Sequence, residues 1–102
     1  MKFKVKNQRG YNINTLVRAI TYRYLGEDEK TKEASLVRPL ERGGYPRFHL
    51  FLIINSKNNE FIFKLHIDQR KPVYNGSPAH SADYEGEVVG QEAKRIKDIL
   101  EE

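Results

Sequence analysis

Two apolar runs, PRFHLFLII and EFIFKLHID, stand on either side of NSKNN. Apolar residues recur at every second position in both runs, and the segment between them is rich in turn formers, which is the signature of a β-hairpin. With Asn55–Asn59 as the loop, Ile54 lies opposite Phe61, Leu52 opposite Phe63, Leu50 opposite Leu65 and Phe48 opposite Ile67. All eight are apolar and share one face, which must be covered for the chain to fold. The other face follows from the same pairing: Ile53 against Ile62, Phe51 against Lys64, His49 against His66, Arg47 against Asp68. Directly opposed Cβ atoms lie about 4.5–5.5 Å apart, so His49 and His66 become neighbours beside an Arg47–Asp68 pair. A slip of two residues keeps both faces but sets His49 against Lys64 or Asp68.

Two amphipathic segments are available as the cover. In YNINTLVRAITYRYLG, residues Ile13, Leu16, Val17, Ile20 and Tyr24 follow the spacing of one helical face, with Asn12 placed to cap the start and Gly26 to end the helix in a left-handed turn. In EGEVVGQEAKRIKDILEE, residues Val89, Ala93, Ile96 and Leu100 form a stripe with Val88 and Ile99 at its margins, and Gly90 loosens the first turn. KFKVK alternates as a short strand with Phe3 and Val5 inward. ASLVRPLE reads as a strand that Pro39 marks as an edge or a broken one. EDEKTKE is a charged loop and RGGY a flexible link. The order β-α-β-β-β-α predicts an α+β domain over residues 1–102: a two-layer sandwich with an antiparallel sheet of three to four strands and two helices on one face.

Composition removes several classes of function. With no cysteine there is neither a disulfide nor a thiolate zinc site. MKFKVKNQRG has no apolar signal region, and the longest apolar run, Leu50–Ile54, is too short for a bilayer, so the expectation is a cytoplasmic protein without membrane contact. No G-x-x-x-x-G-K-[ST] loop is present, and Ser35, Ser56, Ser77 and Ser81 sit in no G-x-S-x-G context, which gives covalent catalysis little support. Non-enzymatic binding is therefore expected ahead of catalysis.

The net charge of +4 is unevenly placed. Residues 1–26 carry six bases and no acid, whereas residues 83–102 carry seven acids and three bases. An antiparallel sheet with an open face can stack bases on aromatic rings and hold phosphates with lysine or arginine. Lys2, Lys4, Lys6, Arg47, His49, Phe51, Lys64 and His66 are the candidates for such a face, with Tyr45 and Tyr74 at its margins. The favoured partner is single-stranded nucleic acid, and no resident cofactor is required.

The alternative is a small metal-dependent enzyme. His49, His66, His80 and Asp68, with Asp83 nearby, would ligate a divalent transition metal such as zinc, although neither H-E-x-x-H nor H-x-H occurs. Residues 69–86, which include His80, Asp83 and Tyr84, are expected to form a polar loop, which either folds back over the same face or leaves it open. A third reading takes Phe51, Ile53 and Ile62 as an exposed apolar patch for a protein partner or homodimer. Glu92 falls inside the apolar stripe of the last helix, with Glu85 seven residues earlier on nearly the same line. A buried carboxylate needs a partner, either an arginine or lysine at the rim of the core or a role as general base or metal ligand.

Overall fold

In the computed structural model, which describes residues 1–69 and 81–101 (81–85 by backbone alone), strands β4 (Arg47–Asn55) and β5 (Glu60–Asp68) pair in the register set by the alternation. Ile54 faces Phe61, Leu52 faces Phe63, Leu50 faces Leu65, and His49 faces His66. One further pair, Asn55 with Glu60, shortens the loop to residues 56–59. The apolar face becomes the core: Phe48, Leu50, Leu52, Phe61, Phe63 and Leu65 are all buried. Ile54 departs from this pattern. At the hairpin tip it is 52% exposed, although it shares their face.

Strand β1 (Lys2–Lys6) joins the free side of β5 with Val5 buried and Phe3 stacked on Phe63 at 5.0 Å. Its three lysines therefore take the opposite face. On the other side of the hairpin, β3 (Ala34–Pro39) pairs with β4, and β2 (Arg23–Glu27) pairs with β3. The result is one five-stranded antiparallel sheet in the order β1-β5-β4-β3-β2. The α+β class stands, and the three to four strands expected from sequence become five.

The additional strand comes from the stretch read as the end of the first helix. Helix α1 covers only Ile13–Ile20. Asn12 opens it with a reciprocal cap, its side chain accepting from the Thr15 backbone N–H while its own N–H donates to the Thr15 hydroxyl, both at 2.9 Å. Thr21, at φ 64°, ends the helix in the left-handed conformation, so Gly26 is not the terminator. Gly26 (φ 148°) instead sits at a β-bulge, where the pairing of β2 shifts register between Tyr24 and Gly26. Tyr24 is on an edge strand and exposed rather than on a buried helical stripe. β3 is an interior strand, not an edge. Pro39 is tolerated because β2 reaches only as far as Val37, so the proline occupies the strand end that has β4 alone beside it.

Helix α2 (Ser81–Glu101) begins before Glu85, so residues 81–86 are helical and not part of a loop. Its stripe is as read: Val89, Ala93, Ile96 and Leu100 are buried. The two helices pack against each other, and α2 lies on β1 and β5. No helix among the described residues is long and apolar enough to cross a membrane.

Glu92, 4% exposed, is held on the helix side of the sheet by three groups. Arg95 grips both carboxylate oxygens at 2.8 and 2.9 Å, Arg38 of β3 reaches one at 3.2 Å, and the Tyr22 hydroxyl donates to the other at 2.7 Å. Arg95 also donates to the Ile20 carbonyl at 2.6 Å, joining the Thr21 hydroxyl on an acceptor that the end of α1 leaves free of a backbone partner. Glu92 is thus an ion-pair centre at the core rim that ties α2 to α1 and β3, and both its oxygens are already engaged.

Burial, reinforced by the Glu92 charge and hydrogen bond, holds the Tyr22 phenol well above its ordinary range. A raised folded-state pKa contributes stability below the unfolded value, near 10 for tyrosine, and loses it as the pH climbs further. Tyr22 should therefore make the protein lose up to about 1.4 kcal/mol per pH unit above pH ~10. Urea titrations from pH 9 to 11 should show this alkaline loss flattened in Tyr22→Phe relative to the parent. Parallel curves would show that Tyr22 does not set it.

Candidate functional site

Strand pairing fixes the outer face of the sheet as a grid. One row runs Lys2, Lys64, Phe51, Ser35 across β1, β5, β4 and β3. The next runs His66, His49, Val37, Arg23 across β5 to β2. Beyond it lie Asp68, Arg47 and Pro39, and on the other side Lys4, Ile62 and Ile53. Lys2, Lys4, Lys6, Arg47, His49, Phe51, Lys64 and His66 thus share one face, as the alternation requires.

Asp68 is the hub of this face. Its Oδ1 lies 2.8 Å from His66 Nε2, and its Oδ2 lies 3.0 Å from His49 Nδ1 and 3.2 Å from Arg47 Nε. Burial by itself would raise the Asp68 carboxyl, but the hydrogen bonds from Arg47 and His66 and the charges of both histidines outweigh it and hold the group below the usual carboxylate range. His49 is driven the other way: loss of solvent lowers its pKa despite the attraction of Asp68. An ionised Asp68 only accepts, so a neutral His49 carries its proton on Nδ1. Its Nε2 is then an acceptor, and the Ser35 hydroxyl, 2.7 Å away, donates to it.

Ser35, His49 and Asp68 therefore reproduce the hydrogen-bond chain of a serine hydrolase triad, which is recognised by geometry and not by sequence position. Among the described residues the rest of that machinery is not present around it. Ser35, the second residue of β3, has β2 and β4 on either side, and both helices pack on the opposite face, so among the described residues no helix N-terminus offers an oxyanion hole there. Sequence reasoning set Ser35 aside for want of a G-x-S-x-G motif. Its one signal was its place between Ala34 and Leu36, which turns it outward.

Ring packing gives the face a second character. Phe51 and His49 lie 4.3 Å apart between centroids, His49 and His66 5.0 Å, and Phe51 and His66 5.8 Å. Within this cluster the His66 side chain is 48% exposed and that of His49 only 16%. Arg47 lies 4.6 Å over the Tyr45 ring. Val37, on the same face, is 1% exposed, so the β3 end of the His66 row is covered.

Charge is graded across the sheet. At the β1 edge, Lys2 and Lys4 are exposed and form no ion pair among the described residues, while Lys6 donates to the Asn58 carbonyl at 2.8 Å. Lys64 pairs with Glu33 at 2.8 Å. At the β2 edge, Leu25, Gly26, Glu27, Asp28, Glu33, Ser35 and Phe51 line a shallow cleft of about 370 Å³ with an acidic rim. Glu33 and this acidic side were not foreseen, because they depend on β2, the strand read as helix.

Of the four metal candidates, His49, His66 and Asp68 meet, with one ligand atom from each lying within 4.8 Å of the others. His80 and Tyr74 lie outside the described residues, as do the side chains of Asp83, Tyr84 and Glu85. Glu92 is on the far side of the sheet and belongs to the ion cluster of the core. No protein-family model matches the chain, and neither a curated protein nor a solved structure matches it.

Proposed function

We propose that the outer face of the sheet binds single-stranded nucleic acid along its β1–β5–β4 side. The observation that supports this reading most is the Phe51–His49–His66 ring cluster beside the exposed Lys2 and Lys4. Stacking on Phe51 and His66 would hold bases, and the lysine row would hold phosphates. The acidic cleft at the β2 edge repels a phosphate backbone and so directs the strand toward β1. A flat sheet face offers stacking and not a groove-filling helix, so single strands should bind better than duplex.

Fluorescence anisotropy with mixed-sequence oligonucleotides at low salt tests this. Affinity should fall steeply as salt rises, because binding releases counterions. Phe51→Ala should weaken binding by about 1–3 kcal/mol. Lys4→Ala should weaken it for all sequences alike and reduce the salt slope by about 0.7, the value of one phosphate contact on a single strand. Absence of binding at tens of micromolar protein would sink the proposal. A concentration-dependent increase in mass alongside that result would instead assign the half-buried Phe51, Ile53 and Ile62 to a protein partner or a second copy.

A further inference from the structure

We propose that His49 Nδ1, His66 Nε2 and the Asp68 carboxylate form a three-ligand site for a divalent transition metal, zinc foremost. This does not depend on the nucleic-acid reading. The three donors come from the central strand pair of the sheet. His66 and Asp68 are two residues apart on β5, and His49 is the cross-strand partner of His66 on β4. The spacing that carries the site is thus an i, i+2 pair within a strand plus one opposed residue.

The distances suit an ion. His66 and His49 approach the two Asp68 oxygens to 2.8 and 3.0 Å, and all three ligand atoms lie within 4.8 Å of one another. Tetrahedral zinc with bonds of about 2.0–2.1 Å separates its ligand atoms by roughly 3.3 Å. Accommodating the metal therefore asks the two hydrogen-bonded pairs to open by a few tenths of an ångström and the widest-spaced ligand atoms, up to 4.8 Å apart, to draw in by as much as roughly 1.5 Å. Two imidazoles and one carboxylate suit zinc, nickel, copper or iron, and magnesium or calcium would call for more oxygen ligands.

The surrounding contacts fit as well. With Nδ1 on the metal, the His49 proton resides on Nε2, which then donates to Ser35 Oγ at 2.7 Å. Ligating histidines commonly make such a bond with the second ring nitrogen, which fixes ring orientation and tautomer. Binding exchanges one neutral tautomer for the other, and the Ser35 hydroxyl changes from donor to acceptor. Arg47 Nε steadies Asp68 Oδ2 at 3.2 Å, while its positive charge opposes the ion and places the site below a structural zinc site in affinity. Three protein ligands leave a coordination position for water, the pattern of catalytic and not structural zinc.

The test is titration of the chelator-treated full chain with Co²⁺ and Zn²⁺, followed by calorimetry and by the visible absorption of cobalt. One ion per chain is expected, with cobalt showing the intense bands of a low-coordinate site and with magnesium in excess failing to displace it. His66→Ala and Asp68→Asn should each weaken binding at least about tenfold. Ser35→Ala should preserve the stoichiometry and weaken binding by roughly 10- to 100-fold through loss of the orienting hydrogen bond. His66 is half exposed, so its removal should leave the circular dichroism spectrum unchanged and the comparison clean. No cobalt spectrum, or binding that survives both His66→Ala and Asp68→Asn undiminished, would overturn the assignment.

Discussion

Phe63→Ala is expected to destabilise the protein by about 3–5 kcal/mol, a large share of the ~5–15 kcal/mol that holds a domain together. Phe63 has no exposed surface and sits in the middle of the sheet, between Phe3 on β1 and Leu52 on β4. Its ring stacks on Phe3 at 5.0 Å and lies 6.1 Å from Phe61. Truncation removes the burial of a whole ring and leaves a cavity that a paired interior strand cannot easily close. In urea, the midpoint should drop with the slope unchanged. Ile54→Ala is the control. Ile54 belongs to the same alternating face, yet it is half exposed at the hairpin tip and should cost less than about 1 kcal/mol. Similar losses at the two positions would mean that the core is not where the burial pattern puts it.

Arg95→Met should cost about 3 kcal/mol. Removing one partner of a buried pair leaves a charge in a poor solvent, at a typical cost of 3–5 kcal/mol. Two features move this case to the low end: Arg95 is 30% exposed, and Arg38 and Tyr22 remain on Glu92. The Ile20 carbonyl also loses one of its two donors and keeps the Thr21 hydroxyl. Adding Glu92→Leu to Arg95→Met removes the stranded charge and should restore part of the loss. A double-mutant cycle reads this as a coupling energy. Additive effects would show that Glu92 and Arg95 contribute independently.

The hairpin was legible because period-two alternation over two runs, with one turn-rich linker, leaves few registers that set all eight apolar residues on one face. The neighbouring histidines and the Arg47–Asp68 pair follow from that register alone. Glu92 was legible as a carboxylate needing a cation. Arg95, three residues on, was within reach of sequence reasoning, but Arg38 required the tertiary fold. Strand β2 was not legible, since Tyr24 fits a helical stripe as well as a strand and the helix ends at a threonine in place of a glycine. Ser35 was missed for a related reason. Its contact with His49 depends on the β3–β4 register, which is set across the 40–46 connection and carries no short-turn signal. The acidic cleft depends on both strands, so the charge gradient across the face could not be drawn from composition.

The most direct measurement is a ¹⁵N-resolved NMR titration of the full chain with a short single-stranded oligonucleotide at low salt. The expected result is a set of amide shifts confined to the outer face, largest at Lys2, Lys4, Phe51, Lys64 and His66, and absent from Leu16 of α1 and Ile96 of α2. Shifts on the helix side of the sheet, around the acidic β2 edge alone, or nowhere at saturating oligonucleotide would contradict it.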